Sequence, residues 1–219
     1  MQHSLESVWQ YREEVVYPER FGTLSRGVFP LDFELFSSVF GVSEVDPRWL
    51  HYGVLEYAPT PSRPSWIYVT SGFSNPWDDD PSEYMAETYT GFGSELVLET
   101  LEQSDWAVLA LRKILAYDVL LVHGRFGEPH ALDVGARIPL GGPINGDAKC
   151  QLRFLVAVQP KHYEPTFVLA SGKADFLHLV GITESERNYA RDHDIDALMR
   201  RLTEAGSASV TNPARDAAV

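Results

Sequence analysis

One cysteine, Cys150, occurs in 219 residues, which excludes an internal disulfide and any cluster of thiolates around a metal. Long apolar runs are also missing. Val119-Leu120-Leu121-Val122 stops at His123, with Arg112 and Lys113 a little upstream, far short of the ~20 residues that cross a bilayer. No membrane association is expected. Met1-Gln2-His3-Ser4-Leu5-Glu6 has no basic segment followed by an apolar one, so no signal peptide is expected and the cytoplasm is the expected location. Basic residues are scarce: 18 Lys and Arg stand against 31 Asp and Glu, a formal charge of −13 with a pI near 4.9. Such a field repels phosphate backbones and argues against nucleic-acid binding, but it suits a basic protein partner.

Aromatic residues are plentiful. Eleven Phe, ten Tyr and five Trp supply a large core and exclude disorder of the whole chain. With no repeat and no linker composition before residue 206, we expect one domain over 1–205 and a flexible tail over 206–219, where Ser, Ala, Thr, Asn and Pro predominate. Ser4 or Ser7 caps a first helix that Tyr17-Pro18 should end near Val16. Residues 18–48 lack a regular period and are expected to be irregular. Strands are expected at Trp49–Tyr57, Trp66–Thr70, Phe92–Leu98, Leu152–Val158, Thr166–Ala170 and Phe176–Ile182. Ser104 or Asp105 opens the best helix, with Leu109, Ile114, Tyr117 and Leu121 approximating its buried face and Gly124 closing it. Thr183-Glu184-Ser185-Glu186 is a capping box, and a last helix is expected from Ile195 to Leu202. Strands and helices do not alternate, which predicts an α+β fold with a mixed, largely antiparallel sheet packed against helices.

Few residues group into chemistry. His123, His130 and Asp133 are close in sequence and could ligate a divalent ion in a metal-assisted hydrolase, but their spacing matches no established motif. His162 and His178 belong to different elements. Ser71 and Ser74 follow a strand without a Gly-x-Ser-x-Gly elbow, Cys150 suits a buried thiol, and Gly91-Phe92-Gly93 and Gly141-Gly142 suit turns rather than phosphate loops. Charge is more informative. From Pro64 to Leu111 there is no Lys or Arg, while Asp78, Asp79, Asp80, Glu83, Glu87, Glu95, Glu99, Glu102 and Asp105 all occur there. Trp77, Tyr84, Tyr89 and Phe92 are interleaved with them. The stretch is either a solvated face or a surface that steers a basic partner.

Several segments together resemble the Suppressor of fused domain family in its single-domain bacterial form. They are Trp66-Ile67-Tyr68-Val69-Thr70-Ser71-Gly72-Phe73-Ser74, Gly91-Phe92-Gly93-Ser94-Glu95-Leu96, the helix from Trp106 with Leu109, Leu115, Ala116 and Tyr117, then Phe126-Gly127-Glu128-Pro129-His130 with Ile138-Pro139-Leu140, and Phe176 through Glu186. The resemblance spans about residues 49–204. It implies an α+β domain that binds protein without catalysis or cofactor. Bacterial members of the family are proposed to be immunity proteins of polymorphic toxin systems, so the implied partner is a toxin, here a basic one. Animal members grip an extended peptide. By spacing, their groove tyrosine corresponds to Tyr117 and their loop aromatic to Phe126, and their Gly-Asp-His segment corresponds loosely to Gly127–His130, which puts Glu128 where the acidic residue would stand. With the acidic loop, the expected protein-binding residues are Tyr117, Phe126, Glu128, His130, Asp78, Asp79, Asp80 and Tyr84.

Overall fold

Ser4 and Ser7 exchange side-chain-to-backbone hydrogen bonds at the start of α1 (Leu5–Tyr11) in the computed structural model, which describes residues 4–219. The first three residues of the expected 1–205 domain, and of the N-terminus read for a signal peptide, lie outside the described residues. Tyr17-Pro18 does not end the helix. A π turn over Arg12–Val16 carries the chain into α2 (Tyr17–Phe21), where Pro18 occupies the first turn. Proline's missing N–H is tolerated there, and the widened turn absorbs the break in the ladder.

The stretch expected to be irregular holds two regular elements, β1 (Leu24–Pro30) and α3 (Phe33–Phe40). Asp32 Oδ1 accepts the Leu35 N–H at 2.8 Å, and Gly41 closes α3 at φ +64°. A register shift between Leu24 and Val28, around Gly27, masks the alternation of β1. Trp49 is not in a strand either. Asp46 caps a 3-10 turn over Pro47–His51, and β2 begins afterwards (Gly53–Tyr57). The chain continues with β3 (Trp66–Ser71), β4 (Tyr89–Thr100), α4 (Asp105–Val122), β5 (Arg137–Pro139), β6 (Phe154–Val158), β7 (Thr166–Leu169), β8 (Gly172–Ile182), α5 (Glu184–Asp192) and α6 (Ile195–Glu204).

The strands form one eight-stranded sheet in the order β1-β2-β3-β4-β8-β6-β5, with β7 added to β8. Among the described residues only the β4–β8 strand pair is parallel, so the mixed, largely antiparallel sheet of an α+β domain is borne out. Both faces are covered. On one, Val54, Tyr68, Leu96, Leu98, Leu177 and Leu179 pack under α4 and α3. On the other, Ile67, Val69, Val97 and Phe176 pack under Tyr17 and Phe21, while Val156, Val180 and Ile182 pack under α5 and α6. Burial of both faces by apolar side chains is the main stabilising term.

The C-terminal segment is not frayed. The Thr211 N–H donates to the Glu99 carbonyl at 2.8 Å, and Thr211 Oγ1 accepts the Gly181 N–H at 2.9 Å. Arg215 pairs with the buried Glu186 at 2.6 Å and donates to the Gly181 carbonyl at 2.8 Å. Small polar composition therefore misled: these side chains satisfy backbone and carboxylate groups of β8 and α5 that burial would otherwise leave unpaired.

Candidate functional site

α4 positions the first group of expected binding residues. Its inward side is buried on the sheet, and its outward side carries Tyr117. Leu109, expected in the buried face, is instead 53 % exposed. The helix ends at His123, and Gly124, at φ +73°, turns the chain back. That reversal brings Phe126 onto Tyr117, with ring centroids 5.1 Å apart in a stacked arrangement. Phe40 of α3 lies 6.4 Å from Phe126, which is itself 48 % exposed. Glu128 and His130 follow in the same exposed loop, where His130 Nδ1 engages the Glu128 carbonyl at 2.8 Å. The loop is fastened to α4 by Asp118, whose Oδ1 accepts the Leu132 N–H at 2.8 Å. Burial pushes the Asp118 carboxyl up to about 7.

Beside this pair runs a groove of about 500 Å³, lined among others by Val39, Phe40, Leu109, Tyr117, Ile138 and Leu140. Its far wall is β5, the last strand of the sheet path, whose outer edge carries no neighbouring strand in that order. The groove can accept an extended, largely apolar segment.

The metal alternative is not assembled. His123 Nδ1 donates to the Val119 carbonyl at 2.7 Å, and Asp133 Oδ1 accepts the Val134 N–H at 2.6 Å. Among the described residues no group of three His, Cys, Asp or Glu side chains is arranged to hold an ion. Ser71 and Ser74 are buried in a structural network: Arg12 donates to Ser71 Oγ at 2.6 Å and to Ser74 Oγ at 2.9 Å. Cys150 is buried.

The acidic stretch is not one face. Glu95 and Glu99 are buried. Glu95 accepts from the Gly72 N–H, the Ser74 N–H and hydroxyl and the Thr70 hydroxyl, at 2.6–3.1 Å, with Arg12 3.7 Å away. Asp105 pairs with Arg26 at 2.5 Å, and Asp78 with Arg48 at 2.7 Å, so Asp78 does have a nearby base. Asp79, Asp80, Glu83 and Glu87 remain exposed. Tyr84 does not join Tyr117; it packs against the core on the sheet's other face. Asp78 and Asp79 instead border a small pocket lined by Trp49, Tyr52, Trp77, Phe92 and His123. Sequence reasoning missed Arg48 and Trp49 here, although Asp46-Pro47 is a recognisable start signal for a helical turn.

Comparison with known proteins places this geometry in a family. The Suppressor of fused protein (SUFU) family matches residues 48–216. A chain of the Sufu–Fu complex is 18 % identical and covers 84 % of this chain and 89 % of its own length, with a TM-score of 0.61. Drosophila Suppressor of Fused is 19 % identical over 76 % of this chain but only 42 % of its own, with a TM-score of 0.59, so this chain spans less than half of that protein. A SUFU homologue from Neisseria gonorrhoeae FA 1090 is 15 % identical and covers 98 % of this chain and 94 % of its own length, with a TM-score of 0.61. No curated protein matches in sequence. The chain belongs to the Suppressor of fused family.

Proposed function

We propose that this member of the Suppressor of fused family is a non-enzymatic protein-binding domain that serves as an immunity protein, neutralising a cognate bacterial toxin by occluding it. The observation that carries the binding role is the stack of the half-buried Tyr117, which lines the α4 groove, against the exposed Phe126 beside it. Aromatic anchors flanked by apolar wall and a free strand edge are the features that hold an extended peptide. A family relative solved as the Sufu–Fu complex supports protein binding. The match to a Neisseria protein along nearly its whole length supports the single-domain bacterial form. The charge of −13 supports a basic partner.

The test is to read the coding regions that neighbour the gene for this chain and to co-express it with any basic toxin domain found there. A soluble stoichiometric complex and loss of toxicity are expected. Tyr117→Ala with Phe126→Ala should weaken binding by about tenfold or more, mainly through faster dissociation. A toxin that is neither bound nor neutralised would refute the immunity role. Stoichiometric metal lost on His130→Ala, together with hydrolytic activity, would replace the binding role with the enzyme built on His123, His130 and Asp133.

A further inference from the structure

The small pocket beside Asp78 is a ring of aromatic side chains drawn from separate parts of the chain. Successive ring centroids are 6.3 Å apart from Trp77 to Tyr52, 6.4 Å from Tyr52 to Phe92, 6.0 Å from Phe92 to His123 and 4.7 Å from His123 to Trp49. They line one side of a cleft of about 200 Å³ that Arg48, Asn75, Asp78 and Asp79 also border. A glycine holds one wall in place. Gly91 has φ +57°, and a Cβ there would overlap the Phe73 carbonyl oxygen, which accepts the Phe92 N–H at 2.6 Å. Only a residue without a side chain lets Phe92 reach this position.

The mouth of the pocket is negative. Arg48 lines it, but its guanidinium is already engaged, by both oxygens of Asp46 at 2.7–3.1 Å and by Asp78 at 2.7 Å. Asp79 also lines the pocket, is exposed, and makes no ion pair among the described residues. Two carboxylates thus occupy the one guanidinium, and the third, Asp79, is left without a base. Aromatic quadrupoles and an unspent carboxylate favour a cation, and the volume admits one side chain rather than a peptide. A planar, weakly hydrated guanidinium can stack on the rings while its N–H edge donates to Asp79; a lysine ammonium loses more hydration on entering.

We propose that this pocket receives a single arginine side chain from the protein partner. The inference rests on the protein-binding reading and adds to it the chemistry of one anchor, at a site apart from the α4 groove. It would place the aromatic residues of the acidic stretch, Trp77 and Phe92, in contact with the partner's charge.

The probe is Nα-acetyl-arginine amide, titrated into the full chain while the indole resonances of Trp49 and Trp77 are followed by NMR. A saturable shift with a Kd on the order of 1 mM is expected for so small a ligand. Nα-acetyl-citrulline amide has the same shape without the charge, and it should bind about tenfold more weakly or not at all. Asp79→Asn lies on the surface and does not endanger folding; it should weaken arginine amide binding several-fold. Equal shifts from the citrulline compound, or no saturable shift from the arginine compound, would overturn the pocket. Failure of the arginine amide while a toxin is still held through the α4 groove would overturn this inference alone. Binding of the amide by a chain that captures no protein would support the cation pocket and overturn the protein-binding reading.

Discussion

Asp118 sits on the inner side of α4 with one carboxylate oxygen bonded to the Leu132 N–H and the other, Oδ2, buried without a partner. Burial is the largest influence on it, lifting its pKa from an ordinary 3.8 to about 7 against the opposing effects of the Leu132 hydrogen bond and of His130. Because the folded value exceeds the unfolded one, the unfolded chain loses this proton first as pH rises. Asp118's contribution to stability is therefore full below about pH 4 and is lost progressively towards about pH 7. Asp118→Asn keeps the acceptor for Leu132 and removes the charge. Its stability relative to the parent should climb between pH 4 and 7 at a rate approaching ~1.4 kcal/mol per unit, and urea unfolding at several pH values would check this. A difference that stays flat with pH would mean Asp118 is not the titrating group. Size alone ranks Trp66 as the chief anchor of β3, but it is only half-buried, whereas Tyr68 is wholly buried and its hydroxyl accepts the Ser104 N–H at 2.7 Å. Tyr68→Ala should cost roughly 3–5 kcal/mol and Trp66→Ala clearly less. Equal losses in unfolding midpoint would contradict the burial of β3.

At the scale of elements, the strand cores and the long helix were legible because their signals are local. The run Trp66–Thr70 and the Thr183–Glu186 box each act within a few residues. What stayed hidden depends on partners far along the chain. Glu95, Val97 and Glu99 share one side of β4, a pattern that suggests a solvated face until α1 and α2 are laid over it. Glu95 then meets Arg12 from a helix more than eighty residues earlier in sequence. In the same way the Tyr117–Phe126 pair was legible from spacing and resemblance, but the aromatic pocket was not, since Trp49, Trp77 and Phe92 meet only through tertiary packing. The Arg12 network gives an element-level test. Arg12 also donates to Asn75 Oδ1 at 2.6 Å, so this one side chain ties the first helical run to the loop after β3. Arg12→Leu strands a buried carboxylate and should cost about 3–5 kcal/mol. Adding Glu95→Gln should recover part of that loss, so the two changes would be strongly non-additive in chemical unfolding. Simple additivity would show that the pair does not act as a unit.

Across the whole molecule the charge of −13 is distributed unevenly between interior and surface. Glu95, Glu99 and Glu186 are spent on internal contacts, and Asp78 and Asp105 are matched by arginines. The unmatched charge within the stretch that lacks bases is concentrated at Asp79, Asp80, Glu83 and Glu87, in the exposed loop between β3 and β4. Asp80 is also occupied locally, because its Oδ1 accepts the Ser82 N–H at 2.9 Å and the Ser82 hydroxyl at 2.8 Å. Asp79, Glu83 and Glu87 are therefore the side chains to neutralise if steering is to be separated from folding. Rim charges act on the encounter, whereas desolvated anchors act on the lifetime of the complex. Asp79→Asn/Glu83→Gln/Glu87→Gln should accordingly slow association with the protein partner proposed above and blunt its salt dependence, with Asp79 alone also speeding dissociation through the aromatic pocket, while Tyr117→Ala should speed dissociation without slowing association. Salt should imitate the triple change, since the Debye length falls from about 10 Å at 0.1 M to about 3 Å at 1 M. Stopped-flow association across that range separates the two effects. An association rate that ignores salt, and that the triple change leaves untouched, would reduce the acidic loop to a solvated surface and leave recognition to the groove beneath Tyr117 and Phe126.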